Sequence, residues 1–172
     1  MYDELKYIDE TDKSLGIAGM SIALMVCDGE NTISAVSLND DEDTITFTPE
    51  ANFSLNPAFS AKYAWNQLLG ELQLFSAMLW ANIMCRHILA SRQIRQEIIN
   101  TIHDLIFQHG ADLCSLDNDE LEALFNKDMR YYHRLFNHPT VAQCADNLAT
   151  TLRAQRRMSA AEVFERLSRL SF

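Results

Sequence analysis

The chain has 172 residues, of which 48% are hydrophobic and 22% are charged, with five glycines, three prolines and a formal net charge of −10. This composition excludes a disordered or collagen-like chain, and the length is sufficient for one domain with a substantial core. We therefore expect a single domain over residues 1–172, with an acidic N-terminal arm and β-meander over 1–56 and a helical array over 57–172.

Three strands are predicted in the first third of the chain. Over residues 17–27, apolar residues recur at every second position, and Asp28 and Gly29 follow as a hairpin signal. Residues 32–38 are rich in β-branched side chains, and residues 44–48 alternate between threonine and apolar side chains. Such a small antiparallel meander is not stable alone, so it must pack on another layer.

A long helix is predicted over about residues 58–90. Its apolar residues lie on nearly every side, which is typical of a buried helix, and we expect Leu72, Phe75 and Leu79 to be fully buried. We expect this helix to be either kinked near Gly70 or broken near Ser91.

Four further helices follow in the sequence. The first covers residues 92–109, with Gly110 as a C-terminal cap, and the next begins with a capping box at Asp117. Pro139 opens another helix, and a second capping box at Ser159 opens the last one. The predicted fold is therefore α+β and mostly helical, with a small N-terminal antiparallel β-meander packed on a four- to five-helix array.

The long helix and the cysteines bear on the location of the protein. The helix contains Glu71, Arg86 and His87, and charges near the centre of a bilayer are costly. We therefore predict a core helix and no membrane contact. The N-terminus lacks the basic and apolar regions of a signal peptide. Four cysteines without a CxxC motif are expected to be reduced core residues, in a cytoplasmic protein.

The charges change in sign along the chain. Residues 1–60 contain 12 acidic and 2 basic side chains, whereas residues 61–172 contain 12 of each. Residues 126–172 contain 4 acidic and 8 basic side chains. The basic end can therefore attract the acidic end of the same chain or of another molecule. The overall acidity argues against binding of nucleic acids or anionic membranes.

The sequence contains no recognisable catalytic or cofactor motif. The five histidines lack the spacing of three or four residues that helical metal sites use, and glycine-rich phosphate loops and a GxSxG motif are absent. The densest cluster of polar and aromatic residues is Tyr131, Tyr132, His133 and Arg134. We predict no metal and no cofactor, and the sequence identifies no catalytic residue, although histidines from several elements can still converge.

Two sets of residues are candidates for a functional site. One is a basic interaction surface on the C-terminal helices, formed by Arg153, Arg156, Arg157, Arg166 and Arg169. The other is a pocket between sheet and helices, lined by Trp65, Trp80, His87 and His133. The first predicts a non-catalytic interaction or scaffold domain that binds a protein partner or itself, as a homo-oligomer. The second predicts a small-molecule or enzymatic pocket, and nucleic-acid contact through the C-terminal arginines is a third alternative.

Overall fold

The computed structural model describes residues 5–39, 41–49 and 61–170 of the chain. The elements are α1 (Glu10–Val26), β1 (Ile33–Ser37), β2 (Ile45–Phe47), α2 (Ala61–Leu89), α3 (Gln96–Cys114), α4 (Asn118–Phe136), α5 (Pro139–Gln155), β3 (Arg157–Ser159) and α6 (Ala160–Leu167). The protein is 73% helical and has a small antiparallel sheet, which confirms the predicted mostly helical α+β class. The predicted start of the long helix at residue 58 lies outside the described residues.

The prediction of a strand over residues 17–27 is wrong, because most of this segment belongs to α1. Asp9 caps the helix, and its side chain accepts a hydrogen bond from the backbone N–H of Asp12 at 2.7 Å. This apolar run is longer than a typical strand, which has about 4–8 residues. Because the run would be apolar on both faces of a strand, its alternation does not distinguish a strand from a buried helix. Asp28 does not form a hairpin turn, since it follows the helix in the left-handed conformation, with φ 52°.

Close contact between α1 and α2 explains the small residues of α1. A Cβ atom added at Gly19 would lie 2.3 Å from the carbonyl oxygen of Ala81 and 2.7 Å from the Cβ atom of Cys85. One at Gly16 would lie 2.7 Å from the side-chain nitrogen of Asn82. The two helices can therefore approach each other this closely only because these positions lack side chains.

The sheet contains two of the three predicted strands. β1 is the central strand, with β2 antiparallel on one side and β3 antiparallel on the other. Val36 pairs with Ile45 of β2 and with Met158 of β3. The third strand thus comes from the C-terminal part of the chain, between α5 and α6. A three-residue strand carries too little alternation to be recognised from sequence.

The long helix α2 is the central element of the core. Leu72 and Trp80 are fully buried, whereas Phe75 and Leu79 are only partly buried, so full burial of the predicted stripe is confirmed for Leu72 alone. The helix ends at Leu89, and Ser91 follows it with φ 52°, which confirms the expected break.

The length and composition of α2 are sufficient to cross a membrane. This holds for residues 65–89, and 44% of the window tested is buried inside the protein. The core helices of soluble proteins have the same length and hydropathy. The buried packing of α2 against α1 and α4 is consistent with that interpretation.

The helix after α2 ends later than predicted. Gly110 is not a cap, because α3 continues to Cys114 and Ser115 takes the left-handed capping conformation, with φ 47°. A Cβ atom at Gly110 would lie 2.3 Å from a methyl group of Leu121, so this glycine permits close approach of α4. The capping boxes that open α4 and α6 and the proline in the first turn of α5 are all confirmed.

Candidate functional site

A buried charge network fixes the N-terminal arm on the helices. Asp12 is 2% exposed and accepts a hydrogen bond from Nε of Arg86 at 2.9 Å and another from Arg92. The guanidinium of Arg86 also donates to two backbone carbonyls of the arm, at 3.1 and 2.8 Å. Burial by itself raises the pKa of Asp12, but the hydrogen bonds from both arginines outweigh it, and the pKa is lowered. The carboxylate of Asp12 is satisfied within the chain, whereas Nε of Arg92 is buried without a hydrogen-bond partner among the described residues, and we assign the network to stability.

Three of the five predicted arginines contact the acidic N-terminal part of the same chain. Arg153 donates to a serine hydroxyl of α1 at 2.8 Å. Arg156 forms an ion pair with Glu10, and Arg157 forms one with Glu42 at 3.3 Å. The opposite charges of the two chain ends thus attract each other within one molecule at these positions.

The other two predicted arginines lie elsewhere. Arg166 lines a polar groove between α5 and α6, together with Glu162 and Glu165. Arg169 lines both this groove and a second cavity that reaches α4. The five arginines therefore do not form one surface: three contact the acidic N-terminal part of the chain, and two line the groove between α5 and α6.

The four residues of the predicted pocket differ in their surroundings. Trp80 is fully buried, its ring lies 5.1 Å from that of Phe125, and its indole N–H has no hydrogen-bond partner among the described residues. His87 is buried with Nδ1 at 2.9 Å from a backbone carbonyl oxygen of α2, and burial is the main cause that lowers its pKa. Trp65 is 41% exposed, and His133 is exposed on α4.

The cysteines are free in the structure, and their burial varies. Cys85 and Cys114 are buried, and Cys144 is partly buried. Cys27 is exposed, so the expectation that all four belong to the core is wrong for this residue. It occupies the C-cap of α1, where the chain leaves the core.

A groove runs along α4, and we call it the α4 groove. Its first part has a volume of about 750 Å³, and it is lined by Met84, Ile94, Ile99, Lys127, Met129, Arg130, Tyr131, His133 and Arg134. Its second part has a volume of about 580 Å³ and shares Tyr131 and Arg134 with the first. It is lined further by Leu135, His138, Thr140, Val141, Arg169 and Leu170.

The polar residues that line the α4 groove are predominantly basic. They include a lysine, three arginines and two histidines, and among the described residues no aspartate or glutamate lines either part. Within the described ranges, no carboxylate forms an ion pair with these lysine and arginine side chains. An acidic protein therefore presents a cationic groove with an apolar floor.

Sequence reasoning identified this region only as a polar and aromatic cluster. The missed signal is the spacing of Lys127, Arg130 and Arg134, which places the three cations on one face of a helix. The partners from α2, the start of α3 and the C-terminus meet this face only in the folded chain.

Comparisons with protein-family models, with curated proteins and with solved structures gave no match for this chain. Among the described residues, no group of three or more histidine, cysteine, aspartate or glutamate side chains is placed to hold a metal ion.

Proposed function

We propose that this protein is a non-catalytic interaction module whose α4 groove binds an acidic, amphipathic segment of a protein partner. The observation that supports this function is the groove lining, whose described residues combine basic side chains and an apolar floor with no carboxylate, on a chain with a net charge of −10.

The two components of the lining have different roles in binding. Ile94, Ile99 and Met129 are partly exposed and provide the apolar contact area that supplies most of the free energy of association, with the buried Met84 beneath them. Methionine is flexible and adapts to partners of different shape. Arg130 and its basic neighbours attract acidic segments and exclude basic ones, because the charged side chains among the described residues of the groove lining are all basic.

Nucleic acid is a less suitable occupant. Phosphate backbones bind through many cations along an extended surface, and their affinity depends mainly on charge. The remaining surface of this chain is acidic enough to give a net charge of −10, and apolar residues form the floor of the groove. An acidic peptide with apolar anchors complements both features.

We place the protein in the cytoplasm. Its four cysteines are free, which fits a reducing compartment, and buried apolar side chains along α2 pack in the core.

Fluorescence anisotropy with labelled 16-residue peptides tests this function. The probe has leucines at helical spacing of three and four with glutamates between them. One comparison peptide has glutamine at the glutamate positions, a second has serine at the leucine positions, and a 16-nucleotide oligo(dT) represents nucleic acid. We expect the acidic amphipathic peptide to bind most tightly and to lose affinity between 50 and 500 mM NaCl.

A matched pair of variants locates the binding surface. The double variant Arg134→Glu, Arg169→Glu reverses two charges in the groove, and we expect it to raise the Kd of the acidic peptide about tenfold or more. Arg157→Glu changes the same kind of charge on β3, outside the groove lining, and is expected to leave the Kd within about twofold.

Three results would contradict the proposal. Equal loss of affinity in both variants would place the peptide elsewhere, and tighter binding of oligo(dT) than of any peptide would make nucleic acid the ligand. The third contradicting result would come from light scattering, measured over a dilution series of the protein. A dimer that the double groove variant abolishes would show that a second copy of the chain occupies the groove.

A further inference from the structure

A second cavity lies next to the α4 groove and differs from it in charge. It has a volume of about 580 Å³, lies between the end of α1, α2 and α4, and shares Lys127 and Tyr131 with the groove. This volume is within the range of about 300–1,000 Å³ that is usual for small-molecule sites. The acidic side chains Asp28 and Asp128 line it, against one lysine.

Asp128 is the central polar group of this cavity. It is 8% exposed and accepts a hydrogen bond from the hydroxyl of Ser76 at 2.6 Å. Among the described residues this is the one hydrogen bond to its carboxylate, and none of their cations forms an ion pair with it. The charge of Lys127 lowers the pKa of Asp128 but forms no ion pair with it, whereas two arginines donate hydrogen bonds to Asp12. A buried carboxylate without a direct cationic partner is costly.

Two tyrosines lie beside this carboxylate. Tyr131 and Tyr132 have ring centroids 5.1 Å apart in an edge-on arrangement, and both line the cavity. Tyr132 is buried, and its hydroxyl lies 3.9 Å from Sγ of Cys27. The lining also includes the side chains of Gln67 and Gln73 and the apolar Leu74, Ala77 and Leu124.

We propose that this cavity binds a small organic ammonium ion, which donates a charge-assisted hydrogen bond to the carboxylate of Asp128. Aromatic rings and a carboxylate are the groups with which proteins recognise organic cations, and the apolar wall suits a hydrocarbon body. A divalent metal is a poorer fit, because no group of metal-ligating side chains is present among the described residues. Burial raises the pKa of Asp128, and a bound cation would offset this effect. The inference does not depend on the proposed function of the α4 groove.

Isothermal titration calorimetry of the full chain with three matched probes tests the site. 2-Phenylethylammonium is the cation, 2-phenylethanol is its neutral counterpart, and 3-phenylpropionate is an anion of similar shape. We expect the ammonium ion to bind with a Kd of about 1 mM, which is well below the affinity limit for a ligand of this size. We expect the ammonium ion to bind at least about tenfold more tightly than the alcohol, since a hydrogen bond to a charged group contributes that much or more.

Two variants with the same chemical change identify the residue. Asp128→Asn removes the charge at nearly constant shape and is expected to weaken binding of the ammonium ion about 10- to 100-fold. Asp146→Asn makes the same change at an exposed position of α5 and is expected to leave the Kd within twofold. Far-UV circular dichroism checks that both variants fold, and if Asp128→Asn does not fold, the ranking of the three probes on the unmodified protein decides.

The proposal is overturned if 2-phenylethylammonium does not bind at 10 mM, or if the alcohol binds as tightly. It is also overturned if a folded Asp128→Asn variant retains the affinity. Loss of binding in Asp128→Asn alone, together with the expected ranking of probes, supports it.

Discussion

Replacing Asp12 with asparagine is expected to produce a large loss of stability. Asp12 and Arg86 are each 2% exposed, and Arg92 also donates to this carboxylate. Asparagine retains the shape but leaves the two arginines without a counter-charge. Removing one partner of a buried pair costs about 3–5 kcal/mol.

Urea denaturation followed by circular dichroism measures this loss. With an m-value of about 2 kcal/mol per molar urea, the expected cost lowers the midpoint by about 1.5–2.5 M. Asp146→Asn on α5 is the matched control, because the same change at an exposed position costs less than about 0.5 kcal/mol. If Asp12→Asn and Asp146→Asn have the same midpoint, the buried network makes no contribution to stability and this prediction is refuted.

The network also predicts an effect of pH with a definite sign. The pKa of Asp12 is lower in the folded chain than in the unfolded chain, so its contribution is fully present at neutral pH. This contribution is lost as the pH falls below about 4, where the unfolded carboxylate begins to bind a proton. Asp12→Asn should therefore show a weaker acid dependence than the unmodified protein.

The remaining predictions concern packing and use the same urea assay. Gly19→Ala is expected to cost about 2–3 kcal/mol, because the added Cβ meets a backbone carbonyl oxygen at 2.3 Å, and a neutral result would refute the close contact of α1 and α2. Gly110→Ala meets the end of a flexible leucine side chain, so its cost should be below about 1 kcal/mol, and a larger loss than that of Gly19→Ala would contradict this ranking. Gly70→Ala has no neighbour within 4 Å and should stabilise α2 by about 0.5–1 kcal/mol. Phe75→Ala should cost about 1.5–2.5 kcal/mol, about half the usual value for a buried phenylalanine, because the ring is partly exposed.

Local signals predicted the helices well where caps were explicit. The capping boxes at Asp117 and Ser159 set the starts of α4 and α6, because side chains close in sequence satisfy the first backbone N–H groups. The prediction of a helix cap at Gly110 is wrong, since a glycine needed for close helix packing looks the same in sequence as a glycine at a helix end.

Long-range contacts account for what could not be predicted. Met158 pairs with Val36, more than a hundred residues away, and nothing in the three residues of β3 indicates this partner. The α4 groove likewise combines Met84 with Leu170 at its two ends. The spacing of the cations on α4 could be recognised in the sequence, whereas the apolar floor of the groove could not, because its residues come from several elements that meet only in the folded chain.

Asp128 should show the opposite pH dependence to Asp12. Burial is the main cause that raises its pKa above that of the unfolded chain. Its contribution to stability is therefore present below about pH 4 and is lost as the pH rises through the folded pKa, where the carboxylate becomes charged. Asp128→Asn lacks this loss, so we expect it to be more stable than the unmodified protein at pH 7.5, by about 1–3 kcal/mol, the usual cost of an incompletely satisfied buried polar group.

The difference in stability between Asp128→Asn and the unmodified protein reports the titration of Asp128 alone. Among the described residues, the other titratable groups that line the cavity are Asp28, Lys127, Cys27 and the two tyrosines, and they are present in both proteins. Burial raises the pKa of Cys27 and of both tyrosines, so these groups stay neutral between pH 4.5 and 7.5. The urea midpoints of the two proteins, measured at four pH values between 4.5 and 7.5, should diverge as the pH rises. A constant difference between the midpoints would show that Asp128 does not titrate in this range. If ionised Asp128 destabilises the protein at neutral pH and a bound cation removes this destabilisation, the residue behaves as expected of a ligand site rather than of the core.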